Sequence, residues 1–428
     1  MKRRSFLKGL AAPLASLAWP GLHSSGVCRA GPAGMPDTSG MNVLLIGVEN
    51  LRADGVGCCD SPQGRTPNLD RFTTRATRFT RCYCQSPMGD QSRSSLLTGM
   101  RPGAAMASKD RNPQEPPKEP PSLPEILHQY GLRTTDVGGC PRDHEPCERV
   151  ARVAARVLAE AAEKQAPFSM SIGLAGPHRP LPCPRAHLDL SDPDPVGVPQ
   201  APACRDRNIL PTVKRSYGGQ SSPVTNAASR EAVRAYYGHI SLVDAQIGTL
   251  LDALDRVRLS SDTIVMIFSH CGFHLGEKGL WGVPSLFEQS TRVPLLVRVP
   301  GVTNREVVCD EIVELVDLLP TICDLLAVPM PDHLEGKSFV PLLCDPLQPW
   351  KRAAFTVLAA DQCVGRSVRT KRWRYTDWQS HTTSSRQFEL YDLDADPQER
   401  TNLALYPDFR NEHTILANLL QRGWRAAQ

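Results

Sequence analysis

The chain has 428 residues, 41% of them hydrophobic and 22% charged, enough for one large folded domain with a smaller one beside it and ordinary for a soluble globular protein. Its formal charge of +4 belongs to the first 30 residues, where five of the 49 basic residues and none of the 45 acidic ones fall. The remainder carries a formal charge of −1 and offers no basic field for a nucleic-acid partner.

Lys2-Arg3-Arg4-Ser5-Phe6-Leu7-Lys8 is close to the twin-arginine export pattern. The apolar stretch that follows, Gly9 to about Leu22, is short and interrupted by Pro13 and Pro20, so it reads as a signal peptide over 1–30 rather than a membrane span. Cleavage is expected near Ala30, giving a periplasmic or extracellular protein with no stable membrane insertion. Residues 31–41 are a Gly/Pro-rich linker. Of the 14 cysteines, the pairs Cys58/Cys59 and Cys82/Cys84 lack zinc-type spacing with histidines, and most cysteines read as buried small apolar residues or local disulfides.

Asn42 to Val48 is a continuous apolar run, as expected for a buried central strand. A helix starts at Pro67 with Thr66 as N-cap. Residues 112–124 contain six prolines and form an irregular loop. Leu123 to Tyr130 and Cys147 to Ala162 read as helices, and Phe168 to Leu174 as a buried strand. Residues 180–228 are a long polar excursion. From Arg230 to Val257 the apolar residues Val233, Tyr236, Tyr237, Ile240, Val243, Ile247, Leu250, Leu251 and Leu254 mark one face of a long helix. Thr263 to Phe268 is a second central strand, and Glu311 to Ala327 a helix. Short strands follow Trp350, then a terminal helix near Asn411 to Arg422. The expected domains are therefore 42–345 and 346–428. Two apolar strands run into polar residues, Val48 into Glu49-Asn50 and Phe268 into Ser269-His270-Cys271. In doubly wound sheets sites form at the carboxyl ends of strands, so these two ends mark the expected pocket.

Several motifs resemble those of the sulfatase family, in particular its iduronate-2-sulfatase-like branch. They are Thr66-Pro67-Asn68-Leu69-Asp70-Arg71, Leu96-Leu97-Thr98-Gly99, the segment Gly272-Phe273-His274-Leu275-Gly276-Glu277-Lys278-Gly279-Leu280-Trp281-Gly282, Thr291-Arg292-Val293-Pro294, Val299-Pro300-Gly301 and Glu389-Leu390-Tyr391-Asp392-Leu393. The resemblance covers nearly the whole chain after the leader. It implies the alkaline-phosphatase-like α/β fold, with a large, mostly parallel central sheet between helices and a small C-terminal antiparallel sheet with one helix. It also implies a reaction in which an oxidised Cys or Ser attacks sulfur beside a calcium ion held mainly by carboxylates.

The chain departs from that pattern at the reacting positions. Counting back from Arg93 in Ser92-Arg93-Ser94-Ser95 puts Gly89 where the resemblance places the nucleophile. Glu49 and Asn50 stand for its paired aspartates, His270 and Cys271 for its second acidic pair. Gly139, Arg142, Arg179, Leu181 and Val283 replace lysines and histidines, and only Arg93 of the catalytic group survives. Calcium, which wants six to eight oxygen ligands, is therefore disfavoured and no cofactor is expected. Glu49, Asn50, His270 and Cys271 are either a remodelled zinc or copper site or a pocket whose polar groups bond one another. Arg93, Arg142, His178, Arg179 and His274 are the candidate substrate-binding residues, with structural ion pairing or hydrogen bonding as the alternative role. The basic run Arg366, Arg369, Lys371, Arg372 and Arg374, interleaved with Trp373, Tyr375 and Trp378, is either a polyanion contact or the face of a strand pair. The residues thus imply an exported, catalytically inactive or strongly impaired homologue that binds sulfated glycans or a protein partner. The alternative is an active sulfate or phosphate ester hydrolase with a remodelled metal site.

Overall fold

A computed structural model describes residues 35–59, 61, 63–103, 120–138, 146–178, 183–188, 225–282, 284–360 and 363–428. The leader, most of the proline-rich loop and most of the 180–228 excursion lie outside the described residues.

The strands and principal helices, in chain order, are β1 (Asn42–Val48), α1 (Pro67–Thr73), β2 (Thr77–Tyr83), α2 (Gly89–Thr98), α3 (Leu123–Gln129), β3 (Arg133–Val137), α4 (Cys147–Lys164), β4 (Phe168–Leu174), α5 (Asn226–Arg256), β5 (Thr263–Ser269), β6 (Arg292–Arg298), β7 (Val307–Glu314), α6 (Leu318–Leu325), β8 (Ala354–Ala360), β9 (Cys363–Arg369), β10 (Trp373–Ser380), β11 (Arg386–Asp392) and α7 (Arg410–Arg422). The main sheet has the order β3-β4-β1-β5-β6-β2-β7. β3, β4, β1 and β5 pair in parallel, as do β2 and β7, while β6 runs antiparallel to both its neighbours.

β1 is buried over all seven residues, because the sheet is covered on both faces. The two-residue period divides it: Leu44, Ile46 and Val48 face a layer containing α4 and α5, whereas Val43 and Leu45 face a layer containing α3 and α6. In α4 the buried residues Val150, Ala151, Ala154 and Leu158 recur at helical spacing. α5 begins four residues earlier than its apolar pattern suggests, with Thr225 as its N-cap accepting from Ala228 N at 3.2 Å.

Two expectations change. The helix read over 311–327 begins only after β7, which runs to Glu314; Val313 pairs with Cys82 in the main sheet. A buried edge strand and a buried helix carry the same apolar composition, and the edge position of β7 exists only once the sheet is assembled. Thr66 does not cap α1 with its side chain. Its hydroxyl accepts from Gly57 N (2.8 Å) and donates to Asp70 (3.1 Å), while the buried Asp244 carboxylate of α5 accepts from Asn68 N (3.1 Å) and Leu69 N (2.8 Å) at the helix start. No cysteine pair among the described residues is a disulfide.

The small sheet has the order β11-β10-β9-β8 and is antiparallel throughout, with α7 against one face. It is joined to the main sheet by charge. Lys351 Nζ lies 3.0 Å from Glu314 and 2.7 Å from Asp317, and Arg101 closes on Glu314 at 2.6 Å. The Lys351, Glu314 and Asp317 side chains are at most 1% exposed. Val357 N and Thr356 Oγ1 in β8 also donate to the carbonyls of Gln85 and Cys84, so the small sheet buttresses the segment leading into α2.

Removing one partner from a buried ion cluster leaves an uncompensated charge, at a cost of about 3–5 kcal/mol. Lys351→Met should lower unfolding stability by that amount, read as a lowered urea midpoint. An unchanged midpoint would mean that the cluster does not join the two sheets energetically.

Candidate functional site

The parallel pairing sets Val48 opposite both Leu174 and Ser269, so β1, β4 and β5 end at one level. Glu49-Asn50, Ala175–His178 and His270-Cys271 leave from these ends side by side. A fourth element comes from β2, whose carboxyl end leads through 84–88 into α2 and brings Gly89, Asp90 and Arg93. The approach of the loops is close. A Cβ on Gly176 would stand 1.5 Å from the Glu49 carbonyl oxygen, and one on Gly47 would stand 2.8 Å from His270 Nε2, so only glycine admits these neighbours.

Asn50 is the hub. Its backbone is left-handed (φ 53°), a conformation Asn tolerates better than most residues. Its Nδ2 donates to the Pro177 carbonyl at 2.9 Å, and its Oδ1 accepts from the Cys271 thiol at 3.3 Å. Its carbonyl accepts from Tyr236 OH at 2.9 Å, and the Tyr236 hydroxyl oxygen in turn accepts from Arg52 N at 3.0 Å. Ser269 Oγ accepts from Leu51 N at 3.0 Å and lies 2.9 and 2.8 Å from the carbonyls of Val48 and Cys271.

The pocket favours neutral side chains. Burial, reinforced by the Asp90 charge and opposed by Arg93, pushes the Glu49 carboxyl up to about 7. Burial, with help from the Arg93 guanidinium and against Asp90, pulls His270 down to about 3. Its imidazole is therefore neutral at ordinary pH, and its buried Nδ1 has no hydrogen-bond partner among the described residues. Burial pushes the Cys271 thiol up to about 12.

These donors do not fit calcium. Glu49 is the one carboxylate among Glu49, Asn50, His270 and Cys271; the Asn50 carbonyl is turned onto a thiol, and the other two offer neutral sulfur and nitrogen. Among the described residues no group of three or more His, Cys, Asp and Glu side chains is arranged to hold a metal ion.

The sequence-derived binding residues separate. Arg93 is half-buried and makes no hydrogen bond or ion pair to a described residue, yet its charge reaches Glu49 and His270. His178 is half-buried beside Asn50, with Nδ1 3.0 Å from the Gly176 carbonyl and its ring 6.4 Å from that of His239. His274 is a correction: it is fully buried, with Nε2 2.7 Å from Ser285 Oγ and Nδ1 3.6 Å from Glu277, a carboxylate that also holds Arg52 at 2.5 Å. It belongs to the core under the loop, out of a ligand's reach. Arg142 and Arg179 lie outside the described residues, as do Gly139, Leu181 and Val283.

Gly89 opens α2, and nothing lies within 4 Å of the point a Cβ would occupy. A side chain at this position would displace no neighbour. The basic run in β9 and β10 is not a free stripe. Arg374, 1% exposed, pairs with Glu288 and Glu399, Arg369 pairs with Glu288, Arg372 with Asp392 and Lys371 with Glu311.

Sequence reasoning missed Tyr236 and Ser269, which fix the first loop. Tyr236 read as one more residue on the apolar face of a long helix, and only its buried hydroxyl, which needs a partner, hinted at more.

Comparison with known proteins gives two family matches. A model described as "Sulfatase" matches residues 41–149 and 144–328, and one described as "N-sulphoglucosamine sulphohydrolase, C-terminal" matches 276–424. A sulfatase from Formosa agariphila is 25% identical over 457 residues, covering 89% of this chain and 86% of its own. Mouse iduronate 2-sulfatase is 26% identical over 406 residues, covering 72% of each. The crystal structure of a phosphonate monoester hydrolase from Agrobacterium radiobacter superposes with a TM-score of 0.74 at 21% identity, covering 90% of this chain and 95% of that one. The mostly parallel seven-stranded sheet with a separate four-stranded antiparallel sheet is the architecture expected from the sequence.

A carboxyl whose pKa is raised on folding is bound more tightly to its proton in the native state. Its contribution is fully present below the unfolded value near 4.5 and is lost as pH rises through about 7. Wild-type stability should therefore fall relative to Glu49→Gln between about pH 4.5 and 7, with a constant difference above that, as read by urea unfolding across the range. Parallel profiles would show that Glu49 is not buried as described.

Proposed function

The chain belongs to the sulfatase family, and from that premise we propose that it is an exported binding protein that keeps the fold and has given up the hydrolytic reaction. The observation that carries this is Gly89: the first residue of α2 faces open space where a nucleophile's side chain would stand. Loss of the nucleophile alone costs on the order of a millionfold in a serine hydrolase. The neighbouring groups supply no substitute. Cys271 is a neutral thiol bonded to Asn50, and His270 is neutral and inward. Asp90 is next in sequence, and its charge acts on Glu49 and His270.

The ligand we propose is a sulfate group on a glycan, gripped by the Arg93 guanidinium, whose donors match an oxyanion. His178, which lies next to the Pro177 carbonyl held by Asn50, is proposed to join Arg93, as are Arg142 and Arg179 from their loops. Protonation of Glu49 below about pH 7 removes a negative charge from the same pocket and favours the anion. A relative named as an iduronate 2-sulfatase supports a sulfated sugar as the ligand class. Zinc or copper hydrolysis is the competing reading; it needs Glu49, His270 and Cys271 to converge, and the described residues are not so arranged. Export by the twin-arginine route, with residues 1–30 removed, completes the proposal.

Aryl sulfate and phosphate esters should not be turned over by the purified protein. Gly89→Ser should fold normally, because its Cβ meets no atom, and should also stay inactive. Saturable turnover lost in His270→Ala or Cys271→Ala would sink the proposal. Binding of sulfated oligosaccharide should weaken about tenfold or more in Arg93→Gln, as expected for loss of a charge-assisted contact; equal binding by the variant would refute the assigned role. Replacing Arg3 and Arg4 together by Lys should leave the protein inside the cell, as judged by fractionation.

A further inference from the structure

A second cleft opens at the opposite end of the strands of the main sheet. β6 runs antiparallel to β5, so its last residue, Arg298, pairs with Val265 near the start of β5. Glu49, His270 and Cys271 lie beyond the other end of that strand, roughly 15–20 Å away at about 3.3 Å per residue. The cleft lies between the end of α1, the residues entering β5 and the turn after β6, with a volume of about 800 Å³.

Its charge is one-sided. Arg71, Arg75 and Arg298 line it, against the single carboxylate of Asp255. Arg71 is engaged by Asp252 at 2.9 Å, and Asp255 accepts from Ser260 Oγ. Arg75 is exposed, and its side chain makes no hydrogen bond or ion pair to a described residue. Arg298 sits deeper, its guanidinium carbon 5.4 Å from the centre of the Phe72 ring. Its Nε and Nη2 are buried and have no hydrogen-bond partner among the described residues. Burial and the charge of Arg75 both act against its protonated form, with Asp255 in partial opposition.

A buried charged donor without an acceptor is costly, so in this cleft water or a bound oxyanion must supply the acceptor. Nε and Nη2 form the side of the guanidinium fork that grips two oxygens of one oxyanion. Ser261 and Asn304 line the same cleft with further donors, and Phe72, Leu251 and Pro300 give it an apolar wall. A volume of this size takes more than a bare ion.

We propose that this cleft is a binding site for the sulfate or phosphate group of a small organic ester, anchored by Arg298 and Arg75. It is separate from the pocket around Gly89, and its failure would leave the reading of that pocket untouched.

The test is calorimetric titration of the full-length protein with inorganic sulfate and, separately, inorganic phosphate, in an Arg93→Gln background that weakens the first pocket. The expected result is saturable binding of at least one anion, weakened about tenfold or more by Arg298→Met and several-fold by Arg75→Gln. The two arms identify which group the cleft prefers. Arg75 is exposed and bonded to nothing described, so Arg75→Gln remains informative if Arg298→Met does not fold. No saturable binding of either anion, or isotherms for the cleft variants that superimpose on the background, overturns the proposal.

Discussion

The parallel register of β1 between β4 and β5 sets where the loops around Asn50 leave the sheet. Because Val48 stands level with Leu174 and Ser269, three loops must leave the sheet within a few ångströms of one another. Their backbones then pack so closely that Gly176 touches the Glu49 carbonyl and Gly47 makes room for His270. Asn50 in its left-handed conformation is held by the Pro177 carbonyl, the Cys271 thiol and Tyr236, one partner from each surrounding element. The pocket's shape follows from sheet geometry, and its residues decide only what is displayed there.

What is displayed is electrically quiet. A calcium site needs mainly ionised oxygens, and a site that attacks sulfur needs an activated nucleophile. Here burial raises the Glu49 carboxyl, neutralises His270 and keeps Cys271 a thiol. The hydrogen bond between Cys271 and Asn50 engages these two side chains with each other. Strong charges stand instead at the structural joints. Lys351 and Arg101 neutralise Glu314 and Asp317 where the small sheet meets the large one, and Glu288 and Glu399 hold Arg369 and Arg374 inside the interface.

Those joints connect to the pocket mechanically. β8 donates to the carbonyls of Cys84 and Gln85, and the chain runs from there into Gly89. The C-terminal sheet therefore acts on the site by fixing the start of α2. Burying ionic groups to join two layers is costly unless every partner is present. Here each carboxylate meets at least one cation, and Glu314 meets two.

The buried central strands, the long amphipathic helix, the family of the fold and the absence of a side chain at Gly89 were all legible in the amino-acid order. Each is written in local composition, period or residue identity. The strand ends at Val48 and Phe268 were legible for the same reason, since an apolar run that stops at polar residues marks the edge of a sheet. It took the folded chain to reveal that Glu311–Glu314 extends an edge strand, that Asp244 rather than Thr66 meets the start of α1, and that His274 is core. The fold also decided that Arg369 of β9 and Arg374 of β10 are spent on internal ion pairs, and that Arg298 keeps buried donors at the far end of the strands. Whether a charged side chain is free or satisfied depends on partners tens to hundreds of residues away, and one-dimensional spacing does not carry that information.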